Sequence, residues 1–256
     1  MQKAVFDEVA GFYDLETEEL KRDIPFYIDY AKKTKGVTLE LGCGTGRILI
    51  PMAEAGIKVW GVDVSKEMLT VAEKKVNGLD KRTKKNIKLI HGDMQNFELE
   101  EKFSFIFIAA RSFQSLLTKE EQGACLDCVG KHLSQDGIFI VDLFAPKHDY
   151  LTKEKMSHYL GKVHDKKEDI VITRRAEVEY DLANQTLKED WFYEWTDKDG
   201  VFRRKIWSFE LSYLFRYEAE LLLEKHGFEI EDVFGDFDKS PYDYYSGEQI
   251  FVASKR

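Results

Sequence analysis

The sequence predicts a doubly wound α/β fold carrying a small antiparallel β insertion, and three observations predict it. Short apolar strands alternate with helical-period segments through the first part of the chain, which implies βαβ units and a parallel sheet. One strand-to-helix junction holds Gly42, Gly44 and Gly46, the kind of turn that binds ligands where such a sheet reverses its strand order. After Pro146 the apolar period drops to two, with hairpin-type turns between segments, before a helix and two strands return. The boundaries drawn from this are residues 1–146 and 215–256 for the α/β domain and 147–214 for the insertion.

The elements follow in order. Residues 15–33 read as one helix, because Leu20, Ile24, Tyr27, Ile28 and Ala31 recur at helical spacing. Residues 37–41 form the first strand and 47–55 a helix stopped by Gly56. Residues 58–62 are a second strand, and Ser65 is placed to cap a helix running to Val76. Strands are expected at 87–90, 103–109 and 137–143, with a helix at 119–133. Their near-continuous apolar character fits strands covered on both faces. In the insertion, 170–180, 187–196 and 202–214 alternate as three strands. They are joined by Asp181-Leu-Ala-Asn184 and Asp197-Lys-Asp-Gly200, whose residues suit tight turns. A helix at 217–225 and strands at 228–234 and 249–253 complete the chain.

Composition narrows the function. Of 256 residues, 43% are hydrophobic and 33% charged, an ordinary globular balance. The net charge of −9 argues against a nucleic-acid-binding surface; the dense basic stretch, Lys81 to Lys88, falls between a helix and a strand. No apolar run approaches the roughly eighteen residues that cross a bilayer. Three cysteines and no leader-like N-terminus lead to the expectation of a cytoplasmic protein without a membrane partner. Cys125 and Cys128 share one helix with no second pair, so they are expected to pack rather than bind metal, and no metal site is expected.

The chemistry is concentrated in Leu39-Glu-Leu-Gly-Cys-Gly-Thr-Gly-Arg47. Glycine lets the backbone turn sharply and a ligand approach closely, and the following helix offers free N–H groups. Asp63 ends the next strand, 21 positions after Gly42, where a doubly wound fold presents a carboxylate to ribose hydroxyls. A nicotinamide-dinucleotide site would need a small residue where Arg47 stands, so an oxidoreductase is disfavoured. Glu40, two residues before the first glycine, suits a cationic ligand better than a pyrophosphate.

Glu40-Leu-Gly-Cys-Gly-Thr-Gly46 resembles motif I of the class I S-adenosylmethionine-dependent methyltransferases. Asp63 matches that family's ribose-binding acid, and His91-Gly-Asp93-Met94 matches the segment whose Asp approaches adenine. Ser134-Gln-Asp-Gly-Ile-Phe-Ile140 is similar to the turn before the family's fifth strand. The resemblance covers residues 36–145 and resumes at 217–254. It implies the strand order 3-2-1-4-5-7-6 with strand 7 antiparallel, S-adenosyl-L-methionine as cofactor, and a cofactor set of Tyr13, Glu40, Gly42, Cys43, Gly44, Gly46, Asp63, Val64, Met68, Asp93, Met94 and Ala109. Ser104 stands where the family usually starts its fourth strand with an acid.

Methyl transfer from a sulfonium asks chiefly for alignment, with a general base only for a protonated nucleophile. Motifs therefore identify the cofactor better than the acceptor. Loops after the strands supply the acceptor-side candidates Arg111, Ser112, Phe113, Gln114, Asp142, Phe144 and His148, and the N-terminal segment adds Phe12, Tyr13 and Asp14. Tyr13-Asp14 is similar to a family segment that covers the cofactor, and Asp236, Asp238, Tyr242, Tyr244 and Tyr245 are further candidates. The catalytic candidates are Arg111, His148 and Tyr13; Arg111 could equally form a surface ion pair, and His148 be a solvated loop residue. The aromatic run from Trp191 to Phe209 reads either as a substrate lid or as packing, including a homodimer contact. The insertion resembles that of sugar-amine N-methyltransferases and related bacterial enzymes. The expectation is an N- or O-methyltransferase of a small metabolite. The alternatives are a non-catalytic S-adenosylmethionine-binding protein and a methyltransferase of protein or RNA.

Overall fold

The computed structural model describes residues 5–17, 20–153, 155–166 and 168–256. After a 3₁₀ turn at Val5–Glu8, helices α1 (Ala10–Thr17) and α2 (Ile24–Thr34) precede β1 (Thr38–Leu41). Then follow α3 (Leu49–Glu54), β2 (Val59–Asp63), α4 (Lys66–Asn77), the single turn α5 (Lys81–Lys84), β3 (Ile87–His91), β4 (Phe103–Ile108), α6 (Lys119–His132) and β5 (Leu133–Phe144). A turn α7 (His148–Leu151) leads into strands β6 (Lys155–Asp165), β7 (Ile170–Asp181), β8 (Thr186–Thr196) and β9 (Phe202–Ser212). The chain closes with α8 (Arg216–Lys225), β10 (Phe228–Phe234) and β11 (Glu248–Lys255).

The main sheet has seven strands in the order β3-β2-β1-β4-β5-β11-β10, with β11 antiparallel to both neighbours. This is the order the resemblance implies. Its strands are apolar on both sides because helices cover both. Ile106 and Ile108 of β4 face the layer of α6 and α8, and Phe105 and Phe107 face α2 and α3. Cys125 and Cys128 are buried free thiols on α6, part of the first of these layers.

Four features differ from the expectation. The helix expected over 15–33 is two, α1 and α2; Pro25 lies in the first turn of α2, a position its missing N–H and fixed φ favour. The insertion sheet has four strands, β6-β7-β8-β9, all antiparallel. The extra strand β6 escapes the period-two pattern because a bulge between Tyr159 and Gly161 (φ 90°) shifts its inward positions from Met156 and His158 to Val163. Ser134 to Gly137, expected as a turn, lies inside β5, where the pairing with β4 slips between Phe103 and Phe105. The basic stretch from Lys81 folds as α5 and its approach to β3, capped by Asp80, whose carboxylate accepts from Arg82 N and Thr83 N.

Candidate active site

The site lies beyond the C-terminal ends of β1 to β4. Gly42 leaves β1 at φ 74°, and the N–H groups of Gly42 and Cys43 donate to the Val62 carbonyl at 2.8 and 3.1 Å, lacing the loop to β2. A Cβ on Gly42 would stand 2.8 Å from Ser112 Cβ, so both its backbone sign and its surroundings demand glycine. Gly44 (φ 53°) faces open space, with Tyr13 Cε1 3.9 Å from where a Cβ would sit.

Asp63 is buried at the end of β2. Its two carboxylate oxygens accept from Gly44 N at 2.7 Å and Ser65 N at 2.8 Å. Each oxygen retains a second lone pair for ligand hydroxyls. Burial pushes the Asp63 carboxyl up, and these N–H donors pull against that. Ser65 in turn caps α4 by accepting from Met68 N at 3.1 Å, and it donates to Asp7 at 2.5 Å.

Beside this floor lies a cavity of about 220 Å³ lined by Tyr13, Gly42, Gly44, Asp63, Val64, Met68, Asp93 and Met94. All eight belong to the cofactor set expected from the sequence. Asp93 is oriented by accepting from Gln95 N at 2.9 Å. The wall is completed by Ser112, an acceptor-side candidate from the sequence, and by residues the sequence did not signal, among them Phe6, Gln95, Ser115, Leu116 and Glu121. Ser112 reaches the glycine loop because Ala110 and Arg111 adopt left-handed φ values of 52° and 65°, folding the chain back after β4. A turn that usually favours glycine is here built from Ala and Arg, so the sequence carried no cue to it.

The cover comes from α1. Asp14 accepts from Thr45 Oγ1 at 2.7 Å and from Lys75 Nζ at 2.6 Å, pinning α1 to the glycine loop and to α4. Tyr13 beside it is raised in pKa mainly by burial, with Arg47 opposing and Glu40 and Asp63 adding to the rise. Arg47 itself turns to Asp23 in a buried two-point ion pair, at 2.7 and 2.5 Å. This explains how so bulky a residue follows Gly46.

Four of the expected cofactor residues stand outside the cavity wall. The Cys43 side chain points into the core, where a Cβ on Gly61 would lie 2.7 Å from its sulfur, so Cys43 contributes backbone only. Gly46 (φ 82°) serves the turn, with Ile50 3.1 Å from a virtual Cβ, and Ala109 is buried at the end of β4. Glu40 is buried one layer below, its carboxyl pushed far up by burial against the pull of Arg47.

Among the described residues, Glu40 Oε2, Thr38 Oγ1, Asp142 Oδ1 and Tyr27 Oη are buried on one face of the sheet without a hydrogen-bond partner. Glu40 pairs in register with Phe107, Phe107 pairs with Ile140 two residues before Asp142, and Tyr27 stacks on Phe107 at 4.6 Å. Burial first and Glu248 second raise the Asp142 carboxyl to about 8. On the cavity wall itself, the carboxylates of Asp63 and Asp93 offer acceptors to hydroxyl and amino groups beside the glycine loop, so the residues present fit an adenosyl ligand.

On the acceptor side, Arg111 pairs with Glu248 at 3.2 Å and lies 5.7 Å from the Phe144 ring centroid. Arg22 bridges Asp236 at 2.8 Å and Glu248 at 3.4 Å. The exit from the insertion is knotted to this region: Gln114 Nε2 donates to Ser212 O at 2.9 Å, Ser212 Oγ to Leu116 O at 2.8 Å, and Phe144 N to Gln114 Oε1 at 2.9 Å. His148 is exposed on α7 and is not brought to the cavity wall. Tyr244 and Tyr245 are exposed, and Asp238 is occupied with Ser240 N at 2.9 Å. In the aromatic run, Tyr193 and Trp207 pack with Phe6, Val9 and Phe12, while Phe192 on the outer face lies 3.6 Å under Arg175.

Comparison with known proteins agrees with this geometry. Residues 38–137 match the methyltransferase domain family. The chain is 31% identical over 143 residues to the putative methyltransferase YqeM of Bacillus subtilis, covering 55% of this chain and 53% of that one. It is 25% identical to the cypemycin N-terminal methyltransferase of a Streptomyces species, covering 99% of this chain and 98% of that one. It is 31% identical to the dTDP-3-amino-3,6-dideoxy-alpha-D-glucopyranose N,N-dimethyltransferase of Streptomyces fradiae, covering 53% of this chain and 52% of that one. The chain thus spans about half the length of two of these relatives and nearly all of the third. The CcbJ methyltransferase from Streptomyces caelestis has the same fold, with a TM-score of 0.81 at 22% identity over 100% of this chain and 99% of that one.

Proposed function

Because the chain belongs to the S-adenosylmethionine-dependent methyltransferases, we propose that it methylates an amine nitrogen of a small metabolite. The observation that carries this is the charge of the acceptor side. Arg111, the guanidinium at the mouth, is already paired with Glu248. Glu189 and, on the cavity wall, Glu121 leave carboxylates in excess. Such a field favours a cationic guest over an anionic one. The amino-sugar relative, named an N,N-dimethyltransferase, and the cypemycin relative, named an N-terminal methyltransferase, support the same reading.

When bound, the donor supplies a methyl group already activated by its positive sulfur. The chain's part is to hold and align. Asp63 accepts hydrogen bonds from the ribose hydroxyls, and Asp93 takes the adenine amino group. The glycine loop would let the rest of the donor approach the backbone closely. Tyr13 closes over Gly44 and keeps water out. Alignment of this kind supplies roughly 7–11 kcal/mol in favourable cases.

The test is a panel of amines, alcohols and thiols offered with S-adenosylmethionine and read by mass spectrometry for the gain of a methyl group. Methylation of amines is expected. Products methylated at oxygen or sulfur with amines untouched would refute the nitrogen assignment. A panel without any turnover, alongside tight cofactor binding, would favour a non-catalytic binder.

A further inference from the structure

We infer that Glu189, contributed by the insertion sheet, is the residue that receives the acceptor amine. This rests on the nitrogen reading above and deepens it, since it makes the insertion part of the catalytic site.

The register places Glu189 on the inner face of the sheet. β8 alternates Leu187, Glu189, Trp191, Tyr193 and Trp195 on one side; of these Leu187 and Tyr193 are buried, and all but Glu189 are apolar or aromatic. The residues opposite Glu189 are Val178 on β7 and Phe209 on β9. A carboxylate in such a row is costly unless something holds it or uses it. Its holder is Trp191, whose indole N–H donates to Glu189 at 2.5 Å. One N–H leaves most of the carboxylate's accepting capacity open.

What faces it links it to the cofactor cavity. Phe144 at the end of β5 packs against the cluster of Val178, Leu187 and Tyr213, so the inner face here abuts the strand ends of the main sheet. The Arg111 guanidinium lies over that same Phe144 ring and is 47% exposed, so solvent reaches it. Arg111 is followed directly by Ser112, which closes the floor against Gly42. The charged and titratable groups that face Glu189 are Arg111 from the loop after β4, His158 from β6 and Tyr180 from β7. Burial raises the Glu189 carboxyl, while the Trp191 hydrogen bond, Arg111 and His158 pull it back. The group stands ready to take a proton at a higher pH than an ordinary carboxylate.

An amine reaching the site as an ammonium gives one proton to the Glu189 carboxylate. Its freed lone pair forms the N–C bond to the donor methyl as the C–S bond breaks and its electrons pass to sulfur. The proton on Glu189 then leaves to water. One proton is released per methyl transferred. The amine's carbon skeleton lies against Phe144, Tyr180 and Leu187, which points to a compact amine with an apolar or sugar-like face.

The experiment compares wild type with Glu189→Gln and Glu189→Asp, using benzylamine, cyclohexylamine and glucosamine as probes and calorimetry with S-adenosylhomocysteine as the control for folding. The expected result is an unchanged homocysteine-adduct affinity and a kcat/KM for the amine lowered roughly 10²-fold or more in Glu189→Gln. The rising limb of the pH profile should vanish in that variant, and Glu189→Asp should restore part of the rate. Glu189→Gln with wild-type kcat/KM and an unaltered pH limb on an amine that wild type methylates overturns this inference and leaves the nitrogen reading standing. A wild type that methylates none of the amines overturns both.

Discussion

At Asp63 one carboxylate ties together the glycine loop, the cap of α4 and the cavity floor. Asp63→Ala is expected to weaken S-adenosylhomocysteine binding at least tenfold, since a hydrogen bond to a charged group contributes roughly 1.5–3 kcal/mol; calorimetry on the folded variant checks it. Asp142 offers a pH-dependent signature. Its carboxyl is raised to about 8 by burial and by Glu248, well above its unfolded value near 3.9. The folded state therefore holds a proton that the unfolded state has lost, and this burial works against stability increasingly as pH rises between about 4 and 8. Asp142→Asn keeps an acceptor for Ala110 N and removes the ionisation. Its melting temperature relative to wild type should climb from pH 4 to pH 8 and level off above; a difference that stays flat would mean the carboxyl is not held protonated. These residues differed in how visible they were beforehand. Asp63 was legible because its spacing from Gly42 is fixed by one helix and one strand. Glu189 was not, because an acid within an alternating strand reads as an ordinary outward residue until the neighbouring strands set its face.

Elements were legible where local chemistry and burial agreed. Ser65 is a good cap and is used as one, and the continuous apolar character of β4 matches a strand covered on both sides. Ser65→Ala is expected to cost about 0.5–2 kcal/mol, read as a lowered denaturation midpoint, and it also removes the hydroxyl that holds Asp7. A variant as stable as wild type would show that α4 needs no cap there. The elements that escaped detection share a cause: a break in period. The bulge at Gly161 shifts the phase of β6, and the gap between α1 and α2 lies in a stretch whose apolar residues still fall at helical intervals. The loop after β4 escaped for another reason, since Ala110 and Arg111 hold left-handed backbone without a glycine to announce it.

Across the whole molecule, the N-terminal segment lines one cavity with the glycine loop and packs on the insertion sheet. Phe6 packs on Trp207 of the sheet with ring centroids 5.1 Å apart and also lines the cavity. Ligand binding should therefore stabilise the folded chain as a unit. S-adenosylhomocysteine at a hundred times its dissociation constant is expected to add about 2.7 kcal/mol, seen as a concentration-dependent rise in melting temperature. No rise at any concentration would remove the cofactor assignment. The two-sheet plan was readable from the shift in apolar period after Pro146, but the inward turn of the second sheet onto the first depends on side-chain contacts that no periodicity records.

The clasp formed by α1 carries a consequence for turnover. Asp14 meets Thr45 and Lys75, and the Lys75 and Asp14 side chains are 35% and 40% exposed. The glycine-loop side of this eight-residue helix is latched by a contact that dissolved ions weaken, while Phe12 and the ion pair of Glu16 with Arg174 hold it to the insertion sheet. Release of spent donor is therefore expected to quicken as salt rises, a dependence read from the S-adenosylhomocysteine off-rate in buffers of increasing ionic strength; an off-rate indifferent to salt would show that α1 does not time the cycle.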